Sequence, residues 1–335
     1  MTGEIRNVDQ TPPELFVWAG RSMNAVLGAC TVLLTGLLGR SVSGPVAGLL
    51  AAALMAVTPL SLDTSTMMRN DVGMVFFVTA CALAAQMALA TPRRRSILAA
   101  GVLAGCATGT KYTAVFTLLP ASLAALLPSR GRQRWVYLGL CVSGFAAAVA
   151  LTNHFVWVDF SNFVRQLSMD FGHVNKGHWA FVDNPGWAYV SVLAHDGAGW
   201  PLLVLAGGFV AVGLATHDRR VWVLAAFPLA YMWLMTQKPA MFPRWVYPLM
   251  PFAAVAGAAG LVCLVTAATR VRGMIVGTRL RVGHLVTCGV VVASLWPASW
   301  AGPWASAGAS HLPPTHWRKP GCPSGPHPAI GCWRT

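Results

Sequence analysis

Charged residues are scarce in this sequence. Only 10% of its 335 residues are Asp, Glu, Lys or Arg, whereas soluble globular proteins carry about 25%. Apolar residues make up 56% of the chain, and a water-soluble globule of this composition would expose extended apolar patches. The composition therefore excludes an ordinary soluble domain. It predicts an integral multi-pass membrane protein with the lipid bilayer as its surroundings.

Three further features are missing. No Cys-x-x-Cys pair occurs, and six of the eight cysteines lie inside apolar segments, which is typical of small buried side chains rather than metal ligands. The N-terminus has no basic stretch followed by an apolar core, so no cleavable signal peptide is predicted. The net charge of +14 arises mostly from short loops between apolar runs. Without a basic stripe on a polar domain, this charge predicts no nucleic-acid partner.

The apolar runs predict a helical bundle. A membrane span needs about 20 apolar residues, and the candidate spans are 22–38, 45–62, 72–90, 135–152, 197–215, 221–236, 245–268 and 282–300. The apolar segment 97–127 is interrupted by Gly109, Thr110 and Lys111. It is too long for one upright helix and short for two full ones, so we interpret it as a re-entering pair of short helices.

The loop charges alternate when 97–127 is such a pair. One set of loops carries 13 basic residues and the single acid Asp218, and the opposite set carries the other nine acids. Basic residues favour cytoplasmic loops, so the acids, Lys111 and the polar stretch 153–196 are expected outside. This pattern divides the chain into an outer N-terminal stretch, 1–21, a transmembrane domain, 22–300, with one folded outer loop at 153–196, and a tail, 301–335. The Pro- and Gly-rich tail is expected to be disordered or translated out of frame.

Two ionisable positions stand out at the predicted outer face. Asp71 follows Arg69 and Asn70 at the start of the span 72–90, where it is either a functional carboxylate or a simple helix N-cap. Lys111 is the one charge in the segment 97–127. It is either a ligand of a phosphate group or a lysine that reaches toward the interface. Arg244, in a Pro-rich outward turn, is a third candidate cation.

Three segments resemble a known family: 19–84, 98–121 with its ATGTKYT turn, and 243–261 with PRWVYP. Together they are similar to the membrane core of glycosyltransferase family 39. This family includes the dolichyl-phosphate-mannose protein mannosyltransferases and the aminoarabinose transferases. The resemblance implies an all-α, GT-C-like bundle with about ten apolar passages. It also implies an enzyme, most simply in a bacterial inner membrane, that moves a sugar from a polyprenyl-phosphate donor to a protein, lipid or glycan acceptor.

The resemblance also implies roles for individual residues. Asp71 matches the family's Arg-x-Asp-like turn, and Lys111 matches the lysine of its ATKYT-like turn. We expect Asp71 in catalysis, as a group that positions the sugar or acceptor, and Lys111, Arg69 and Arg244 at the donor phosphate. The sugar or acceptor side of the site is predicted in the outer loop, at His154, Asp159, His173 and His178. The three histidines either bind a divalent metal or make interfacial hydrogen bonds.

The family's first helix and the Asp-Glu motif of its first outer loop are not visible. We therefore expect the chain to be truncated at its start, with 1–21 as a remnant of that loop, and frame-shifted after about residue 296. Two other functions stay open at this point: a transporter or flippase of a lipid-linked saccharide, and an inactive membrane fragment.

Overall fold

The computed structural model describes residues 13–176, 185–237 and 242–276, and within these ranges the chain is helical and contains no strand. Two short 3-10 segments, Tyr112–Thr117 and Pro243–Leu249, and one π-helical turn, Leu193–Ala198, accompany the α-helices. The α-helices are α1 (Pro13–Ser43), α2 (Pro45–Val57), α3 (Pro59–Ser65), α4 (Asn70–Ala90), α5 (Arg94–Thr110), α6 (Leu118–Leu126), α7 (Arg132–Thr152), α8 (His154–Val158), α9 (Phe160–Lys176), α10 (Pro185–Val192), α11 (Trp200–Ala215), α12 (Arg219–Thr236) and α13 (Met250–Val276).

Several of these helices can cross a bilayer. Four stretches in the described residues are long and apolar enough, and two bent helix pairs raise the number to six. The four are Glu14–Ser43, Asn70–Ala90, Arg132–Thr152 and Pro243–Thr269. Large apolar side chains such as Leu33, Leu49 and Val204 are exposed on the bundle, as expected for side chains that face lipid. The chain is an integral membrane protein, as predicted. The number of ten passages stays a prediction, and the span expected at 282–300 lies outside the described residues.

The segment 97–127 forms an antiparallel hairpin. Helix α5 ends at Thr110, and the chain returns through Tyr112–Thr117 and α6. The Thr117 hydroxyl donates to the Ala104 carbonyl at 3.4 Å, so the returning arm lies beside α5. Each arm is about 25 Å long at the usual rise per residue, which nearly crosses a hydrocarbon core of roughly 30 Å. The pair of helices expected from the sequence is therefore present, with Lys111 at its tip.

Glycines allow α5 to pack closely against α7. Gly101, Gly105 and Gly109 recur at intervals of four residues and form one face of α5. A Cβ at Gly101 would collide with the carbonyl of Cys141, and one at Gly105 would lie 2.5 Å from the carbonyl of Phe145. Small residues at this spacing let transmembrane helices approach until their backbones touch. This contact holds the hairpin against the rest of the bundle.

Three helix boundaries differ from those expected. Helix α1 begins at Pro13 instead of 22, because a proline and Glu14 in the first turn both favour a helix start. The predicted span 45–62 is broken by Pro59, which cannot donate a helical hydrogen bond, and its two parts meet at 60°. The predicted span 197–215 is preceded by the π-helical turn and bends by 112° at Gly199, whose φ is 80°.

Most of the predicted basic loops lie at one end of the bundle. The Tyr137 hydroxyl donates to the Pro92 carbonyl at 3.2 Å, which brings the start of α7 beside the loop at 93–95. The Gln86 amide donates to the Arg220 carbonyl at 2.8 Å, which adds the start of α12. We call this the arginine end, defined by the arginines at 93–95, 130–134 and 219–220. The arrangement agrees with the alternation of loop charges in the sequence.

Candidate functional site

The opposite end of the bundle holds a buried carboxylate. Asp71 lies in the first turn of α4, and its side chain is only 3% exposed. The N-cap position of α4 is occupied by Arg69, and no side chain caps the helix. The interpretation of Asp71 as a simple N-cap is therefore wrong, although the helix dipole still favours a negative charge at this position.

Two cations meet this carboxylate from different elements. Lys111 Nζ donates to Asp71 Oδ1 at 2.6 Å from the tip of the hairpin. Arg244 Nε lies 3.8 Å from Asp71 Oδ2 at the start of the Pro243–Leu249 segment. Two ion pairs offset the cost of burying the carboxylate. We call these three residues the Asp71 cluster. Lys111 and Arg244 follow Asp71 by 40 and 173 positions in the sequence, and the fold brings all three into one site.

The two cations of the Asp71 cluster remain partly accessible. The side chain of Lys111 is 22% exposed and that of Arg244 is 39% exposed. With one carboxylate and two cations, the cluster has a formal charge of +1. The two cations are therefore accessible to an anionic group, whereas the Asp71 carboxylate is buried beneath them.

Aromatic rings flank both cations. The centroid of the Trp245 ring lies 6.0 Å from Lys111 Nζ, and that of Phe242 lies 4.9 Å from Arg244 Cζ. Cations at such distances are attracted to the ring faces. The Tyr231 hydroxyl of α12 donates to the Trp245 carbonyl at 3.0 Å. This bond fixes the segment that carries Arg244.

Two buried tyrosines accompany the cluster, and neither was predicted as a site residue. Tyr231 and Tyr247 are fully buried, and both lie within electrostatic range of the Asp71 carboxylate. The Tyr247 hydroxyl makes no hydrogen bond within the described part of the chain. The hydroxyls of Ser61 and Ser65 lie close to it but outside hydrogen-bonding geometry. The interior beside Asp71 is therefore polar, because it contains several hydroxyl groups.

Arg69 is fixed through its backbone, and its contact with the donor phosphate stays a prediction. Its carbonyl accepts a 2.8 Å hydrogen bond from the amide of Asn24, which also donates to the Met67 carbonyl at 2.6 Å. Asn24 is buried in α1 and so ties α1 to the turn before Asp71. The Arg69 guanidinium forms no ion pair with any described residue, and it is not a member of the Asp71 cluster. Asn24 was not a predicted site residue.

The outer-loop candidates are helical and mostly exposed where they are described. His154 begins α8, and its ring lies 4.1 Å from that of Phe155. The Asp159 carboxylate accepts hydrogen bonds of 3.1 Å from the Asn162 backbone N–H and from the Ser161 hydroxyl. Asp159 therefore caps the start of α9, which is a structural role.

Helix α9 is the amphipathic helix of the outer loop. It contains His173, whose side chain is not described, and His178 lies outside the described residues. The Phe163 ring of α9 lies 5.5 Å from that of Tyr112, the neighbour of Lys111. Within the described ranges no three His, Cys, Asp or Glu side chains are close enough together to hold a metal ion. The metal expected at the histidines stays a prediction.

The similarities to known proteins agree with this geometry. A family model described as dolichyl-phosphate-mannose-protein mannosyltransferase matches residues 16–157. The crystal structure of the Archaeoglobus fulgidus oligosaccharyltransferase in the apo form is similar with a TM-score of 0.54 and 13% identity, over 84% of this chain and 44% of that one. No match was found among curated protein sequences.

A bacterial structure is similar to the same extent. Apo ArnT from Cupriavidus metallidurans has a TM-score of 0.52 and 14% identity, over 79% of this chain and 52% of its own. ArnT bound to undecaprenyl phosphate has the same TM-score with 16% identity, over 80% and 53%. The chain thus spans about half the length of the solved structures that it matches. Residues 16–157 are thus similar to the dolichyl-phosphate-mannose-protein mannosyltransferases, and the described residues have the GT-C fold of membrane glycosyltransferases, as the resemblance in the sequence implied.

Proposed function

We propose that this chain is a membrane glycosyltransferase that moves a sugar from a polyprenyl-phosphate donor to an acceptor at the end of the bundle that carries the Asp71 cluster. The observation that carries the proposal is the convergence of Lys111 and Arg244 on one buried carboxylate, with both cations partly accessible. One ArnT structure contains undecaprenyl phosphate, and one structure of the archaeal oligosaccharyltransferase contains a dolichol-phosphate and an inhibitory peptide.

In the proposed reaction, an oxygen of the acceptor attacks the anomeric carbon of the sugar. The bond between that carbon and the phosphate oxygen breaks, and polyprenyl phosphate leaves with the bonding electrons. Lys111 and Arg244 bind the phosphate, whose negative charge increases in the transition state. The two cations therefore stabilise the transition state more than they stabilise the bound donor. The acceptor proton passes to a carboxylate base, and no residue of this chain is assigned to that role.

Asp71 positions groups for the reaction instead of abstracting the proton. Both of its carboxylate oxygens face a cation, so it holds Lys111 and Arg244 in place before the donor arrives. The exposed residues of the outer loop, among them His154 and Asp159, are proposed to contact the sugar or the acceptor. A divalent metal at His154, His173 and His178 remains part of the proposal.

The proposed location follows from the charges. Positively charged loops favour the cytoplasm, which orients the arginine end inward and the Asp71 cluster toward the periplasm or lumen. A bacterial inner membrane fits this orientation and the bacterial ArnT relative.

The test is a transfer assay in proteoliposomes with radiolabelled polyprenyl-phosphate sugars. The unmodified chain should transfer label to an added acceptor, and Lys111→Met and Arg244→Met should each lower kcat/KM for the donor roughly 10- to 100-fold, because a hydrogen bond to a charged group contributes about 1.5–3 kcal/mol. Arg21→Met is the matched control, because Arg21 is exposed on α1 and outside the cluster. Movement of a fluorescent donor across the bilayer without any transfer would instead establish a flippase.

A further inference from the structure

A cavity with polar and apolar walls lies at the arginine end, far from the Asp71 cluster. It has a volume of about 470 Å³ and lies between the ends of α1 and α4 and the start of α12. Its walls are formed by Ser41, Gln86, Met87, Leu89, Ala90, Asp218, Arg219 and Arg220. Cavities that bind small ligands usually measure about 300–1,000 Å³. The proposed transfer reaction assigns no role to this cavity.

The charge of the cavity is positive. Arg219 and Arg220 are both exposed, and neither forms an ion pair with a described carboxylate. Asp218 also lines the cavity, but its carboxylate accepts the backbone N–H of Arg220 at 2.9 Å and thereby caps α12. The lining residues thus include two arginines and one carboxylate that already accepts a hydrogen bond. The two arginines of the cavity can therefore donate hydrogen bonds to an anionic group.

The cavity also has a fixed wall and an apolar wall. Gln86 is only 3% exposed, and its amide donates to the Arg220 carbonyl at 2.8 Å. This bond connects α4 to α12 and fixes the backbone that carries the two arginines. Met87, Leu89 and Ala90 supply apolar surface at the end of a membrane-spanning helix. A cationic rim next to apolar side chains matches a molecule that has a charged head and hydrocarbon chains.

We propose that this cavity binds the headgroup of an anionic phospholipid from the adjacent leaflet, with Arg219 and Arg220 on its phosphodiester. Basic pockets between transmembrane helices are suited to anionic lipid headgroups. The arginine end lies at a membrane interface, because α4 crosses the bilayer from there to Asp71. A lipid is the anion present at that depth at the highest concentration. The proposal does not depend on the transfer activity.

The test is native mass spectrometry of the full chain, released from micelles that contain equal amounts of phosphatidylglycerol and phosphatidylcholine. The unmodified chain should retain phosphatidylglycerol preferentially. The double variant Arg219→Gln/Arg220→Gln should lose about 30-fold in that preference, because each basic residue near an anionic membrane surface contributes roughly fivefold. Arg219→Lys/Arg220→Lys keeps the charge and should retain most of the preference, which separates charge loss from misfolding.

The matched control is Arg132→Gln/Arg134→Gln, which removes the same charge from the same end without touching the cavity. Its preference should fall much less than that of the Arg219→Gln/Arg220→Gln variant, because Arg132 and Arg134 do not line the cavity. The proposal is overturned if both double glutamine variants lose the same preference, or if the unmodified chain shows none. It is equally overturned if millimolar inorganic phosphate displaces the lipid, because the cavity would then be a site for free anions.

Discussion

Replacing Lys111 should destabilise the protein more than replacing Asp71, although both changes break the same ion pair. The Asp71 side chain is 3% exposed, whereas that of Lys111 is 22% exposed. A lysine that loses its partner can turn its ammonium group toward water. A carboxylate at the bottom of the cluster cannot, so it stays buried with one fewer counter-charge.

The expected magnitudes follow from this asymmetry. Removing one partner of a buried ion pair costs about 3–5 kcal/mol. Arg244 remains 3.8 Å from the other oxygen of Asp71, so we expect Lys111→Met to cost about 3 kcal/mol, at the low end of that range. Asp71→Asn has the same size and keeps a polar group, and we expect a loss of about 1 kcal/mol. The double variant should recover part of the cost of Lys111→Met.

The measurement is a double-mutant cycle, in which the four proteins are unfolded in mixed micelles and followed by tryptophan fluorescence. The free energies of unfolding give the coupling between the two side chains. If Lys111→Met is no more destabilising than Asp71→Asn, then Lys111 does not offset the cost of burying the Asp71 carboxylate. If the losses of the two single variants simply add, the 2.6 Å contact contributes nothing to stability.

Three further predictions concern packing and hydrogen bonds. Gly101→Ala should cost several kcal/mol in thermal or denaturant unfolding, because its Cβ meets the backbone of α7, whereas Gly139→Ala, with open space around it, should be neutral or slightly stabilising. Asn24→Leu should cost about 1–2 kcal/mol in the same measurement, since two partly buried carbonyls lose their donor. Tyr231→Phe removes the hydrogen bond to the Trp245 carbonyl and should raise the KM for the donor severalfold in the transfer assay with little change in expression.

Each of these has an outcome that contradicts it. Equal stability of the Gly101→Ala and Gly139→Ala variants would mean that α5 and α7 do not touch through their backbones. An Asn24→Leu protein as stable as the original would show that the turn before α4 needs no anchor. An unchanged KM in Tyr231→Phe would mean that Arg244 does not depend on that hydrogen bond for its position.

The sequence predicts much of the bundle because the membrane simplifies the problem. Apolar runs have to cross the bilayer, and arginines collect on one side of it, so the ends of most helices can be assigned from charge alone. The interruption at Gly109, Thr110 and Lys111 shows where the hairpin turns. The same argument places Asp71, Lys111 and Arg244 at one end, although it does not show that they touch.

The contacts themselves come from tertiary packing. Lys111 reaches Asp71 because α5 packs along α4, where the Asn70 amide donates to the Thr110 carbonyl and the Cys81 thiol to the Ala100 carbonyl, each at 3.4 Å. Arg69 is the cation nearest to Asp71 in the sequence. Asn24 holds only its carbonyl, and its guanidinium makes no ion pair with Asp71. Tyr247 gives no local signal, since it becomes important only when the Pro243–Leu249 segment folds beside Asp71.

The position of Lys111 at the tip of a hairpin has a consequence for how the protein enters the membrane. The two arms cannot insert unless that charged tip travels through the hydrocarbon, which is costly for an isolated ammonium group. Helix α4 is synthesised first and presents Asp71 at the far side, where the lysine ends its passage 2.6 Å from the carboxylate. We therefore expect the ion pair to help set the topology during biosynthesis, so that a chain without Asp71 more often leaves the hairpin on the side where it was made.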